Sequence, residues 1–210
     1  MINSKTNLEQ NGKNTENNMN ILHGLSGSVA STIVHKFQTN YQNDTVKFVL
    51  TESSKKFGPH IYSFNLNQEI KAKSSWVKPH YLWYDKFDDE NEWNVYDKEK
   101  GVLHIELMKW ADVFVIAPCS ANTLAKIANG ICDNLLTCIA RAWDFDKKIV
   151  IAPSMNTKMM SHPAYQNHIK TVQSWGIEIV PPQEKQLFCG DYGDGAMANI
   201  EDIVSRMKSK

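Results

Sequence analysis

Apolar residues fall in short unalternating runs, separated by stretches with helical spacing. Asn20 to Gly24 predicts a short buried strand running into Gly24-Leu25-Ser26-Gly27-Ser28. Val29 to Asn40 predicts a helix, with Val29, Ile33, Val34 and Phe37 at helical spacing. Val46 to Leu50 predicts a second strand, ended by Thr51-Glu52-Ser53-Ser54. Residues 55–101 are aromatic, charged and weakly periodic; they predict a helix near Lys55, short strands and an acidic loop around Asp88 to Glu92. His104 to Ala111 predicts a helix with Ile105, Met108 and Ala111 on one face. Val113 to Ala117 and Ile149 to Ala152 are apolar at every position, as parallel strands covered on both faces require. Pro118 to Asn122 reads as a loop, and helices follow over Thr123 to Asn129 and Asp133 to Trp143. Another helix is expected near Ala164 to Trp175, then a strand over Ile177 to Val180, stopped by Pro181-Pro182. A Gly-rich loop and a last helix over Ile200 to Met207 complete the chain.

Alternation of strands with helix-length connections predicts an α/β fold with a doubly wound parallel sheet. Ligands of such sheets sit at the carboxyl ends of the strands. Four strands here end in small polar loops: Ser26-Gly27-Ser28, Thr51-Glu52-Ser53, Ser120-Ala121-Asn122-Thr123 and Ser154-Met155-Asn156. Ser26-Gly27-Ser28 suits one phosphate at a helix amino end, although taken alone the motif reads first as a simple N-cap turn. The G-x-G-x-x-G dinucleotide fingerprint is absent. Ser120 to Thr123 suits the edges of a flavin ring or its phosphate, or a capping box without a ligand.

Composition narrows the picture. The 210 residues suffice for one domain over residues 19–210. Lys+Arg and Asp+Glu both number 23, so charge offers no case for nucleic acid or an anionic membrane. Residues 1–18 read as a disordered Asn-rich tail, since residues 1–20 hold seven Asn and no apolar run. No pair among Cys119, Cys132, Cys138 and Cys189 has C-x-x-C spacing, so a metal site is not expected. Without an export signal the thiols are expected reduced, in a cytoplasmic protein.

Several strings are more particular. Leu103-His104-Ile105-Glu106-Leu107, Trp110-Ala111-Asp112, Ala117-Pro118-Cys119-Ser120-Ala121-Asn122-Thr123, Asp133-Asn134-Leu135-Leu136-Thr137, Ala152-Pro153-Ser154-Met155-Asn156-Thr157 and Cys189-Gly190-Asp191-Tyr192-Gly193-Asp194-Gly195 resemble, in the same order, the flavin-dependent cysteine decarboxylases. The resemblance runs from about Ile21 to Ile203. It implies a Rossmann/flavodoxin-like three-layer flavoprotein domain that binds FMN. The implied substrate is 4′-phosphopantothenoylcysteine, decarboxylated to 4′-phosphopantetheine for coenzyme A through thioaldehyde and enethiol intermediates.

By the same resemblance His104 is an acid/base, Cys189 protonates the intermediate in a Gly-flanked flap, and Asn156 holds the substrate carboxylate. Gln186, Leu187 and Phe188 flank the substrate, and Ser26, Gly27, Ser28, Thr51, Glu52, Ser53, Ser120, Ala121, Asn122, Thr123 and Ser154 surround the cofactor. The chain departs from the family pattern at Ser154, Met160, Gln186 and Phe188. Cys119 reads as a small apolar substitute, and Cys132 and Cys138 as buried structural thiols. The family also implies a homotrimer with shared sites, and large apolar residues such as Trp83, Trp93 and Trp110 agree with a covered surface. The alternative is a regulatory subunit of the same fold that inhibits a protein phosphatase; presence of His104, Asn156 and Cys189 favours the enzyme.

Overall fold

The computed structural model describes residues 18–57, 85–87, 101–186, 190 and 192–209. Strand β1 (Asn20–Leu25) lies between β2 (Thr45–Leu50) and β4 (Val113–Cys119). Outside them stand β3 (Asp85–Phe87) next to β2, and β5 (Lys148–Pro153) then β6 (Glu178–Ile179) next to β4. Among the described residues the sheet order is therefore β3-β2-β1-β4-β5-β6, with every pairing parallel. This is the Rossmann order, not the flavodoxin one. The chain builds outward from β1, then returns to start its second half at β4 on the other side of β1.

Each strand face has its own cover. A 3₁₀ helix (Val29–Asn40) and the C-terminal helix pack Val34, Phe37, Ile203 and Met207 on Ile21, Val113, Val115 and Val150. On the opposite face lie α1 (Leu103–Trp110), α2 (Ala121–Ala128), α3 (Leu135–Arg141) and α5 (Pro163–Ser174), with short α4 (Thr157–Met160) between α3 and α5 in sequence. Their Leu107, Leu124, Leu136, Ile139 and Val172 pack on Leu22, Phe114, Ile116 and Ile151. Successive β4 residues thus enter different cores, which is why the run is apolar without alternation. The result is the expected three-layer domain.

Local chemistry moves several boundaries. Val29–Asn40 winds as a 3₁₀ helix: Thr32 Oγ1 donates to Val29 O (2.8 Å) and Thr39 Oγ1 to Lys36 O (3.3 Å), in a segment crowded by β-branched residues. Helix α2 starts at Ala121 because Ser120 is its cap, accepting from Thr123 N at 3.3 Å. Helix α3 starts at Leu135 behind a capping box in which Asn134 Oδ1 accepts from Thr137 N (2.9 Å) and Thr137 Oγ1 accepts from Asn134 N (3.2 Å). The buried anchor of α1 is Leu107, with Met108 and Ala111 beside it; Ile105 joins neither core cluster. Edge strand β6 pairs on one side only and shortens to Glu178–Ile179.

The Gly-rich stretch is not a loop. Strands β7 (Gln183–Gln186) and β8 (Tyr192–Ala196) form an antiparallel hairpin ahead of α6 (Ile200–Lys208). The tail through residue 17, the acidic loop and both Trp83 and Trp93 lie outside the described residues.

Under the 3₁₀ helix sits His23, fully buried and ringed by Phe37, Tyr41 and Phe48. Its Nε2 lies 2.6 Å from Ala117 O, which only accepts, so Nε2 carries the proton and Nδ1 accepts the Tyr41 hydroxyl at 3.0 Å. Burial lowers its pKa from 6.5 to about 4, against the smaller opposing pull of the Ala117 carbonyl. A depressed folded-state pKa means the unfolded chain binds the proton more readily. Stability should be complete above pH 6.5 and fall as pH drops toward 4, by about 2 kcal/mol at pH 5 relative to pH 7. Urea midpoints at the two pH values test this: in His23→Phe the difference should shrink by that amount, and an unchanged difference would contradict it.

Candidate active site

Doubling back at β1 and β4 leaves a crevice at the carboxyl ends of these strands, and polar side chains hold its walls together. Ser26 is completely buried. Its Oγ donates to Pro118 O at 2.9 Å and accepts from Ser120 N at 2.7 Å, tying the end of β1 to the end of β4. Ser28 caps the 3₁₀ helix by accepting from Ala30 N (3.3 Å), and its Oγ donates to Ser154 Oγ at 3.1 Å beyond β5. Ser154 N donates to Cys119 O (2.9 Å). Thr51 N donates to Leu25 O (3.0 Å), and Thr51 Oγ1 lies 3.2 Å from Ser53 Oγ. The ends of β1, β2, β4 and β5 are therefore one hydrogen-bonded unit.

Gly27 lies against Ser53: a Cβ on Gly27 would stand 2.5 Å from Ser53 Oγ and 2.6 Å from Ser53 Cβ. Two helices, Val29–Asn40 and α2, open at this crevice, and neither has an acidic residue in its first turn. Amino ends of helices with free N–H groups and no local carboxylate favour an anion. Thr123 Oγ1 accepts from Ser120 Oγ at 3.2 Å, Ala121 is half-buried and Asn122 exposed. Glu52 is exposed and paired with Lys55 at 2.9 Å.

At the end of β5, Asn156 caps α4, its Oδ1 accepting from Lys158 N at 2.8 Å. The other polar group of that amide is the Nδ2 donor, which has the sign a carboxylate needs. Strand β8 lies over this turn. Met155 N donates to Gly195 O (3.1 Å), and a Cβ on Gly193 would stand 3.0 Å from Thr157 Oγ1. Thr157 Oγ1 itself is buried with no hydrogen-bond partner among the described residues. Strand β7 ends at Gln186 and β8 begins at Tyr192, so the docked hairpin brackets the segment with Leu187, Phe188 and Cys189; those three residues and the side chain of Gln186 lie outside the described residues.

His104 is half-buried in the first turn of α1. Helix α1 leads into β4 and runs against the strands, so its amino end faces the carboxyl side of the sheet. Its carboxyl end is clamped by Lys147 Nζ, which donates to Met108 O (3.1 Å), Lys109 O (3.2 Å) and Ala111 O (2.9 Å). The cysteines divide differently from the sequence expectation. Cys119 is buried and burial pushes its thiol pKa up. Cys132 is exposed and Cys138 half-buried, because the Asn134 cap starts α3 after Cys132 and turns Cys138 outward, its Sγ 3.4 Å from Cys132 O.

The sequence reading missed Thr157, whose orphan hydroxyl is created by the hairpin above it, and Tyr165. Burial raises the Tyr165 phenol pKa, with smaller contributions from Cys119 and Asp194; its ring packs on the core cluster that contains Cys119. Neither residue carries a local signal in the sequence.

Fold and crevice define a doubly wound α/β domain with an anion-accepting site at its switch point. The chain belongs to the Flavoprotein family, whose profile matches residues 9–210. It is 45% identical over 163 residues to phosphopantothenoylcysteine decarboxylase HAL3 of Malus domestica, covering 73% of this chain and 75% of that protein. A solved structure of a PPC decarboxylase cysteine-to-serine mutant complexed with pantothenoylaminoethenethiol superposes with a TM-score of 0.78 at 40% identity, covering 90% of this chain and 96% of the other. The FMN binding protein AtHal3 superposes with a TM-score of 0.74 at 41% identity, over 90% and 95% of the two chains.

The Gly27–Ser53 contact makes a direct test. Gly27→Ala should lower the melting temperature by several degrees, roughly the effect of 1–3 kcal/mol of overpacking. Ser53→Gly in the same chain should recover most of the loss, and no recovery would mean that Ser53 is not what Gly27 avoids.

Proposed function

We propose that this chain binds FMN and decarboxylates 4′-phosphopantothenoylcysteine to 4′-phosphopantetheine, a step toward coenzyme A. The observation that carries the proposal is the docking of β8 on the β5 loop through Met155 N and Gly195 O, which brings the hairpin over the Asn156 turn at the carboxyl end of the sheet. The names of the relatives and of the superposed structures support it. The crevice also fits the cofactor: the bare Gly27 backbone and Ser28, at a helix amino end, suit one phosphate. Ser120, Ala121, Asn122, Thr123 and Ser154 would hold the ring side, and Thr51, Glu52 and Ser53 would close the β2 side, with Ser26 bracing the loops from beneath.

When bound, flavin takes up and returns an electron pair, which lets the CH₂–SH arm be oxidised transiently and gives the departing carboxylate's electrons a place to go. Asn156 binds the carboxylate through a neutral amide donor. A fixed cation there would stabilise the very charge that must disappear. His104 removes a proton from the arm as general base. Gln186, Leu187 and Phe188 enclose the substrate, and the Cys189 thiol supplies the proton that completes the product. The balance is one carboxylate and one proton in, one CO₂ and one new C–H bond out. The enethiol is the last intermediate before that proton arrives.

The protein acts as a cytoplasmic homotrimer in this reading. Among the described residues Cys119 and Cys132 are reduced thiols, the state a reducing compartment maintains. Val102 (38% exposed) adjoins His104, while Met159 (50%) and Tyr192 (74%) adjoin Asn156 and the hairpin. Three large apolar side chains flanking the site suit burial against a second copy. No helix among the described residues is long and apolar enough to cross a membrane.

Incubating the FMN-loaded protein with 4′-phosphopantothenoylcysteine should release CO₂ and 4′-phosphopantetheine. Cys189→Ser should still release CO₂ but accumulate the oxidised enethiol, because a hydroxyl is a far weaker acid than a thiol. Formation of the reduced product by this variant at the parent rate would remove Cys189 from its role.

Shared sites are tested by refolding equal amounts of His104→Asn and Cys189→Ser chains together with FMN. If neighbours contribute the two residues, about a quarter of parental sites should return. No recovery, or a monomer by light scattering, would reject shared sites.

A further inference from the structure

At the end of the sheet opposite the crevice lies a second cavity of about 300 Å³. It opens where α2, α3 and α5 finish, and Ile127, Ile131, Arg141, Phe145, Trp175 and Ile177 line it. Of the large apolar side chains exposed among the described residues, Val102, Met159 and Tyr192 flank the proposed active site, whereas Ile131 (47%), Phe145 (51%) and Trp175 (41%) gather on this cavity. Covering the active-site edge with a second copy would leave this group unexplained.

Among the described residues Arg141 is the only charged one on the lining, and it is exposed. Its guanidinium lies across Gly130, whose missing side chain leaves it room: a Cβ there would stand 3.6 Å from Nη1. Among the described residues no carboxylate pairs with it. A basic residue at the end of α3 is partly accounted for by the helix dipole. The nearby carbonyls are already engaged, however: Ile127 O accepts from Gly130 N (3.0 Å) and Lys126 O from Ile131 N (2.9 Å). The other polar lining group, the Thr137 hydroxyl, is held by Asn134.

We propose that this cavity is a second ligand site, for a small aromatic carboxylate. The ring would lie among Ile131, Phe145 and Trp175, and the carboxylate would pair with Arg141. The volume sits at the small end of the range for ligand sites. Planar carboxylate recognition is what a guanidinium does best.

The test uses the FMN-loaded protein and 4-(trifluoromethyl)phenylacetate, followed by fluorine NMR. Saturable binding is expected, and the matching neutral amide should bind about ten-fold more weakly. Arg141→Gln should weaken the acid by a similar factor and leave the amide unchanged. Trp175→Ala should weaken acid and amide alike, and Ile131→Glu should weaken both, the acid more than the amide. 4′-Phosphopantothenoylcysteine should not compete. Absence of saturable binding, equal affinity for acid and amide, indifference to Arg141→Gln, or competition by the active-site substrate would each overturn the proposal.

Discussion

Parallel strands that grow outward from β1 in both directions leave the loops after β1 and β4 side by side, with main-chain groups that no further strand can satisfy. One buried hydroxyl meets this demand. Ser26 Oγ gives its proton to Pro118 O and takes the N–H of Ser120, closing the gap at the switch point with both of its capacities used. The position of the Ser120 cap, the start of α2 and the link from Ser28 to Ser154 follow from that closure. An alanine at Ser26 would strand a buried N–H and weaken the hold on a buried C=O, each a costly loss. The crevice is thus a rigid frame first and a ligand site second.

Parts of this architecture were legible in the sequence because their signal is local or repeats over many residues. The apolar runs of β4 and β5 could only be strands buried on both faces, and the polar loops after them could only be surface. Caps needed one more look: Ser120 and Asn134 read as loop and helix residues until their acceptor roles shifted α2 and α3 by two positions. The hairpin was hidden for a different reason. Tyr192-Gly193-Asp194-Gly195-Ala196 has poor strand propensity, and it is held extended by pairing with β7 and by docking on the β5 loop. Such nonlocal causes leave no periodicity to read. The same holds for Leu107, whose burial depends on which side α1 meets the sheet, and for the exposure of Cys132.

Three other polar side chains tie elements together as Ser26 does. His23 spends both ring nitrogens on Ala117 and Tyr41 in a pocket of aromatic rings, so it stays neutral and joins β1, β4 and the 3₁₀ helix. Lys147 places its ammonium against three carbonyls at the end of α1, and Lys148 does the same for Arg206 and Ser209 after α6. Each lysine closes a helix end and fixes it near a neighbouring strand. The layers are joined by such polar pins as well as by apolar contact.

The hairpin is fastened at its base by main-chain groups, Met155 N to Gly195 O, and by the ladder between β7 and β8. Bonds of this kind do not depend on which side chains the tip carries. The hairpin is therefore a constant mount: side chains along β7 and β8 can change while the main chain seats on the β5 loop in the same way.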